Sequence, residues 1–359
     1  MSDHLMISTR KGLFFLDRMA DGWRLAGSAF LGSPVVNAMK DGRDGTLYAT
    51  LNLGHFGAKL HRSTDNGRTW DEVAMPAHAR QEEDADAPSV VQIWTMETDG
   101  RPAPGGLWAG TIPGGLFHSA DGGGSWTLND SLWSHPTREK WMGGGYDKPG
   151  IHSICVDPRN ADHISVGVSV GGVWRSRDGG KSWDGATRGM TATYVPPDIA
   201  ELPEVQDPHR MVQCAADPDG FWVQHHCGIF RSADGLETWS TITPEPCPAF
   251  GFAVAGHPQD PLTAWFVPAV KDEFRFPRDG RFVVSRTQDG GESFEVMSQG
   301  LPQETSYDLV YRHGLAVDAT GRRLAMGSTT GGGWVSEDSG ESWTALPARL
   351  PPVYAVGFV

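Results

Sequence analysis

A short box centred on aspartate recurs along this chain at nearly constant spacing, and no other feature restricts the fold so tightly. It reads Ser63-Thr64-Asp65-Asn66-Gly67-Arg68-Thr69-Trp70, then Ser119 to Trp126, then Ser176 to Trp183. Further copies run from Ser232 to Trp239, with the glycine displaced to Gly235, from Thr287 to Phe294, with Phe for Trp, and from Ser336 to Trp343. The central aspartates stand at 65, 121, 178, 234, 289 and 338, so the repeat is 49 to 57 residues long. That period belongs to a propeller or a solenoid, not to one layered core.

Each residue of the box has a turn-forming reason. Aspartate accepts hydrogen bonds from N–H groups of its own turn, glycine supplies a positive φ, and Ser or Thr adds a local bond. The aromatic residue that follows is placed to wedge between neighbouring sheets. A calcium loop is the competing reading, but calcium takes about six to eight oxygens and the Asp-x-Gly core supplies too few.

The segments around the boxes repeat as well. Leu107 to Thr111 with Gly115 to Phe117, Ile164 to Val168 with Gly172 to Trp174, and Leu324 to Ser328 with Gly333 to Val335 form strand pairs ahead of a box. Upstream again lie apolar strands ending in aspartate, such as Val35 to Asp41, Ile151 to Asp157 and Met211 to Asp217. Four short strands per unit, A to D, make a propeller blade. The chain starts inside a unit, with Leu5 to Thr9, Gly12 to Phe15 and Trp23 to Leu25 matching strands B to D. The missing A strand is supplied by Val353 to Phe358. Closing the ring this way predicts an all-β, seven-bladed β-propeller that is one domain over 1–359, with blade one built from about 1–28 plus 351–359.

Composition narrows the function. Thirty Lys and Arg against 44 Asp and Glu give a formal charge of −14, which disfavours nucleic acid and an anionic membrane surface as partners. No secretion signal precedes the first strand, and Cys155, Cys214, Cys227 and Cys247 lack the close pairing of a zinc site, so a reducing cytoplasm is the expected compartment. The Gly-rich stretch Lys140 to Tyr146 lacks the Lys-Ser/Thr ending of a phosphate loop, so no nucleotide cofactor is expected.

The boxes resemble the Asp-box, or BNR, repeats of sialidases, sortilin-type receptors and photosystem II assembly-factor propellers. Ser8 to Phe14, Tyr194 to Asp198, Gln206 to Arg210 and Gln224 to Ser232 are similar to a bacterial subgroup labelled glycosyl hydrolase or sialidase-like. The resemblance implies the propeller fold and a hydrolase-like or scaffold function. It does not carry a sialidase site: Thr111-Ile112-Pro113 lacks the expected Arg, and no motif anchors Arg10, Arg210 and Arg312 as a carboxylate clamp.

The boxes join strands C and D at one face, so the long inter-blade connections at 71–89, 127–150, 184–210 and 295–311 lie at the other, where function is expected. Aligning the A strands on Asp41, Asp99, Asp157, Asp217 and Asp318 puts His152 and His313 in one register at that face, with Trp94 sharing it. Aligning the B-to-C turns adds Arg10, Lys11, His225 and His226, while His55 and Lys271-Asp272-Glu273 join from longer turns. The expectation is an axial pocket in which His152, His225, His226 and His313 act as catalytic groups or as ligands of one divalent transition metal (zinc, iron or manganese). Carboxylates from Asp147, Asp198, Asp207 or Asp308 would assist, and Arg10, Lys11, Trp94, Arg210 and Arg312 would hold a small polar or anionic molecule. Two functions follow: a hydrolase or lyase acting in that pocket, or a non-catalytic scaffold presenting its loop face to a protein partner.

Overall fold

A computed structural model of the chain describes residues 2–78 and 88–359; the 71–89 connection therefore lies partly outside the described residues. Seven four-stranded antiparallel sheets form a seven-bladed β-propeller. The innermost strands are, by blade, Val353–Phe358, Val35–Lys40, Gln92–Thr98, Gly150–Val156, Pro208–Gln213, Gly251–Gly256 and Leu315–Val317, and each packs against the next around a closed ring. Closure is made within blade one, where His4–Thr9 pairs antiparallel with Val353–Phe358, Ile7 lying opposite Val356. Among the described residues the one α-helix is the four-residue Asp130–Trp133, and no helix is long and apolar enough to cross a membrane.

The aspartate turns are built as their chemistry requires. In blade three, Asp121 Oδ1 accepts from the Ser119 hydroxyl and the Ser125 N–H, both at 2.8 Å, Oδ2 accepts from the Ser125 hydroxyl at 2.7 Å, and Ser119 Oγ accepts from Gly123 N–H at 2.9 Å. These bonds, the Ser125 hydroxyl's first, hold the Asp121 carboxyl down to about 2. Gly123 has φ +84°; in the blade-five box Leu236 occupies that position at φ +70°, and its burial offsets a conformation that a side chain disfavours. Trp126, Trp183 and Trp239 each send the indole N–H to the preceding blade, to Ala74 O, Asn129 Oδ1 and Ala186 O. The apolar core lies between blades, around fully buried residues such as Trp174, Trp222 and Trp265.

One irregularity is repeated and positions the site. In the first six blades the pairing between the innermost strand and its neighbour slips near the loop-rich end, at Tyr354, Val36, Trp94, His152, His209 and in the stretch Phe252–Ala253. A β-bulge re-aims a side chain and bends its strand. Each such residue, taking Phe252 in blade six, lies five positions before one whose N–H closes or follows the strand end: Asp41, Asp99, Asp157, Cys214, His257 and Val359. Asp318 has the same role in blade seven, which puts His313 in the same register. The ring therefore presents Tyr354, Val36, Trp94, His152, His209, Phe252 and His313, one per blade.

Candidate metal and ligand site

A cavity of about 1080 Å³ opens at this ring, on the face opposite the aspartate turns. Six of the seven ring residues line it, His152 being the exception, together with Asp207, His226, Asp272, Arg275, Arg312 and Tyr146. The Gly-rich stretch Met142 to Gly145 forms part of its wall and is tied down through Met142 N–H to Val170 O, 2.8 Å, and the Ser169 hydroxyl to Gly144 O, 3.2 Å.

The centre of one wall is Asp207, which the chain delivers just before the blade-five inner strand. It is buried; Oδ1 accepts from Val170 N–H at 3.1 Å, and its carbonyl accepts from His226 N–H at 2.9 Å. Its Oδ2 faces two imidazole nitrogens at equal distance, His209 Nε2 and His226 Nδ1, each 3.5 Å away. Asp207, His209 and His226 can each offer a ligand atom within 4.8 Å of the others and make the one group among the described residues that could hold a metal ion. The rings are oriented from behind. His209 Nδ1 donates to Gly251 O at 2.6 Å and the ring stacks on Phe252 at 4.3 Å, so Nε2 is the nitrogen left for Asp207. His226 Nε2 faces Asp272 Oδ2 at 3.9 Å, and Asp272 is in turn paired with Arg275.

Electrostatically the group is a buried carboxylate between two imidazoles. Burial alone would raise the Asp207 carboxyl, but the adjoining imidazoles outweigh it and hold it well below the carboxylate range. Asp207 raises the His226 imidazole, whereas burial lowers His209.

The histidine cluster expected from the sequence is not the one assembled. Of the four histidines, His226 belongs to the group and His313 lines the cavity with its Nε2 spent on His152 O at 2.8 Å. His152 is fully buried away from the cavity, Nδ1 against the Ser153 hydroxyl at 2.9 Å. His225 is also fully buried, with Nε2 against Asp207 N–H at 2.9 Å and Nδ1 against Cys227 N–H at 3.0 Å, so it braces the turn that presents its neighbour; burial pulls it down to about 3. Arg210 donates to His152 O at 3.1 Å and lines a second cavity, of about 320 Å³, further down the channel. Arg10 and Lys11 are exposed at the blade-one turn and do not line the main cavity. Trp94 and Arg312 do line it and meet there, the guanidinium 4.7 Å from the indole centroid. Asp147 and Asp198 are exposed outside it, and Asp308 is spent on the hydroxyls of Ser306, Ser328 and Thr330.

Alignment of blade five on Asp217 passes over His209, because the residue whose N–H closes the first turn of that blade is Cys214, bonded to Gly220 O at 3.0 Å. Counting five back from Cys214 gives His209, in register with Trp94 and His152.

No family model matches the chain. A probable oligoxyloglucan-reducing end-specific xyloglucanase of Neosartorya fischeri is 25% identical over 276 residues, which are 69% of this chain and 31% of that protein. The chain thus spans about a third of the length of the curated relative it matches. Among solved structures, an ancestral GH74 enzyme superposes with TM-score 0.62 at 16% identity, covering 85% of this chain and 36% of that one. YCF48 bound to D1 peptide superposes with TM-score 0.55 at 14% identity, covering 88% and 83%. These likenesses establish the propeller fold.

Proposed function

We propose that the loop-face cavity is the site of a hydrolase or lyase that acts on a small polar, anionic molecule with the help of one divalent transition metal. The observation that carries this reading is the pair of equal 3.5 Å separations around Asp207 Oδ2. That distance is long for a hydrogen bond, yet two ligand atoms on one tetrahedral ion with bonds of about 2.0 to 2.2 Å stand roughly 3.4 Å apart. His209 Nε2, His226 Nδ1 and Asp207 Oδ2 would be the ligands, with the Gly251 carbonyl and Asp272 orienting the two rings from outside, as outer partners of metal-bound histidines do. Zinc, iron or manganese suits such a set. A bound ion with an open position toward the cavity lowers the pKa of a water and polarises a carbonyl.

A glycosidase needs two carboxylates flanking the bond it cuts. Asp207 and Asp272, the carboxylates that line the cavity, both face the His226 ring, so the likeness to xyloglucanases is not extended to their substrate. The scaffold reading is favoured by exposed aromatics on the loop face, Phe56 (72% exposed) and Tyr307 (66%), which could contact a protein. A deep concave cavity lined by convergent polar groups speaks for a small molecule.

The test is turnover of a panel of esters, lactones, amides and lyase substrates by protein loaded with zinc, manganese or iron. Activity that disappears on chelation and falls by about 100-fold or more in His209→Ala would support the reading. Protein that binds one ion yet turns over nothing in the panel, while capturing a protein partner through the loop face, would replace it with the scaffold.

A further inference from the structure

Arg312 stands apart among the buried arginines. Arg286, Arg312 and Arg323 are each less than a tenth exposed. Arg286 is paired with Glu295 and Glu341, and Arg323 with Asp3. Arg312 makes no ion pair or side-chain hydrogen bond among the described residues, and its Nε is buried without a partner. What surrounds it is aromatic: the guanidinium carbon lies 4.7 Å from the Trp94 centroid and 5.5 Å from that of Phe252.

That environment leaves the hydrogen-bonding capacity of the guanidinium unmet. Taking a cation out of water costs several kcal/mol, and each ring returns about 0.5 to 2 kcal/mol. The Asp207 carboxylate offsets part of that cost through space but accepts no hydrogen bond from Arg312, so the guanidinium still calls for an acceptor, and it lines the cavity from which one would come. Asp207, the nearest buried carboxylate of that cavity, is engaged by Val170, His209 and His226 and makes no ion pair with Arg312. The other arginine lining the cavity, Arg275, is already paired with Asp272. Among the described residues that line the cavity, Arg312 is thus the cation left without an ion-pair or hydrogen-bond partner, a planar fork beside two rings.

We propose that Arg312 anchors the carboxylate of a flat, ring-bearing acid, whose ring extends from the guanidinium between the walls that Trp94 and Phe252 provide. A guanidinium fork matches the two coplanar oxygens of a carboxylate and balances its single charge, whereas a phosphate monoester, with nearly twice that charge, calls for more than one cation, and among the described residues no second unpaired one lines the cavity. The aromatic lining, with Tyr146, Tyr311 and Tyr354 beside Trp94 and Phe252, suits a ring with polar edges. This assignment rests on the reading of the cavity as a small-molecule site, but not on the presence of the metal.

The experiment is calorimetric titration of benzoate, benzamide and phenyl phosphate into the full chain, both chelator-treated and metal-loaded. Benzoate is expected to bind about tenfold or more tightly than benzamide, its neutral isostere, and more tightly than phenyl phosphate, in both preparations. Arg312→Gln should abolish the preference for benzoate over benzamide, and Arg312→Lys should retain part of it, with circular dichroism confirming the fold. Equal binding of benzoate and benzamide to wild type, binding of none of the three, or tighter binding of phenyl phosphate overturns the proposal, whether or not the variants fold. Failure of the metal reading appears separately, as absence of a bound ion with the benzoate preference intact.

Discussion

His209 and His152 occupy the same register on blades five and four, both at a β-bulge and both shielded from solvent, yet they differ in what their ring nitrogens face. His209 donates backwards to the Gly251 carbonyl and turns Nε2 toward Asp207 and the cavity. His152 is turned away from the cavity, and its backbone carbonyl accepts bonds from His313 and Arg210, which tie blades four, five and seven together across the channel. One side of the mouth is thus arranged around a carboxylate and the other around a peptide carbonyl. Position on a propeller ring places a side chain near the axis; the direction in which its ring is turned decides whether it is available to a ligand.

The sharpest way to break this comparison is to remove the carboxylate without removing its shape. Asp207→Asn keeps an acceptor for Val170 N–H and is expected to weaken zinc binding by about 100-fold or more with the fold retained. On the other side, His313→Ala removes the bond to His152 O and should cost about 1 to 2 kcal/mol in denaturant unfolding while leaving zinc affinity unchanged. Asp272→Asn acts one step removed, through His226 Nε2, and should weaken zinc by roughly tenfold, read by competition with a chromophoric chelator.

A pH titration sharpens the contrast further. Burial, first among its causes, holds His152 and His313 well below the usual imidazole range. The unfolded chain takes up protons near pH 6.5 while these folded rings stay neutral, so their contribution is complete above that pH and drains away as the pH falls toward their folded values. The melting temperature of metal-free protein should therefore decline from about pH 6.5 to 5, and decline less steeply in His313→Gln.

Much of this was legible in the sequence. The aspartate boxes specify their turns through bonds within a few residues, so their period gave the blades, and Val353 to Phe358 could be recognised as the strand absent from the start. The site was harder because its geometry is not local. Trp94 and Arg312 line the cavity, but nothing in the order of residues shows that Arg210 reaches down the channel or that the His225 ring is turned in against the backbone. His209 was within reach: Cys214 takes the strand-end role that aspartate holds in neighbouring blades, and anchoring on Asp217 shifted the count by three residues.

The central claim, that the functional side of the mouth is the one around Asp207, is tested most directly by calorimetric zinc titration of wild type, His226→Ala and His313→Ala in parallel. One ion per chain bound by wild type and His313→Ala alike, with affinity lost in His226→Ala, is the predicted result. Zinc binding that survives in His226→Ala, or is lost equally in a folded His313→Ala, would contradict it.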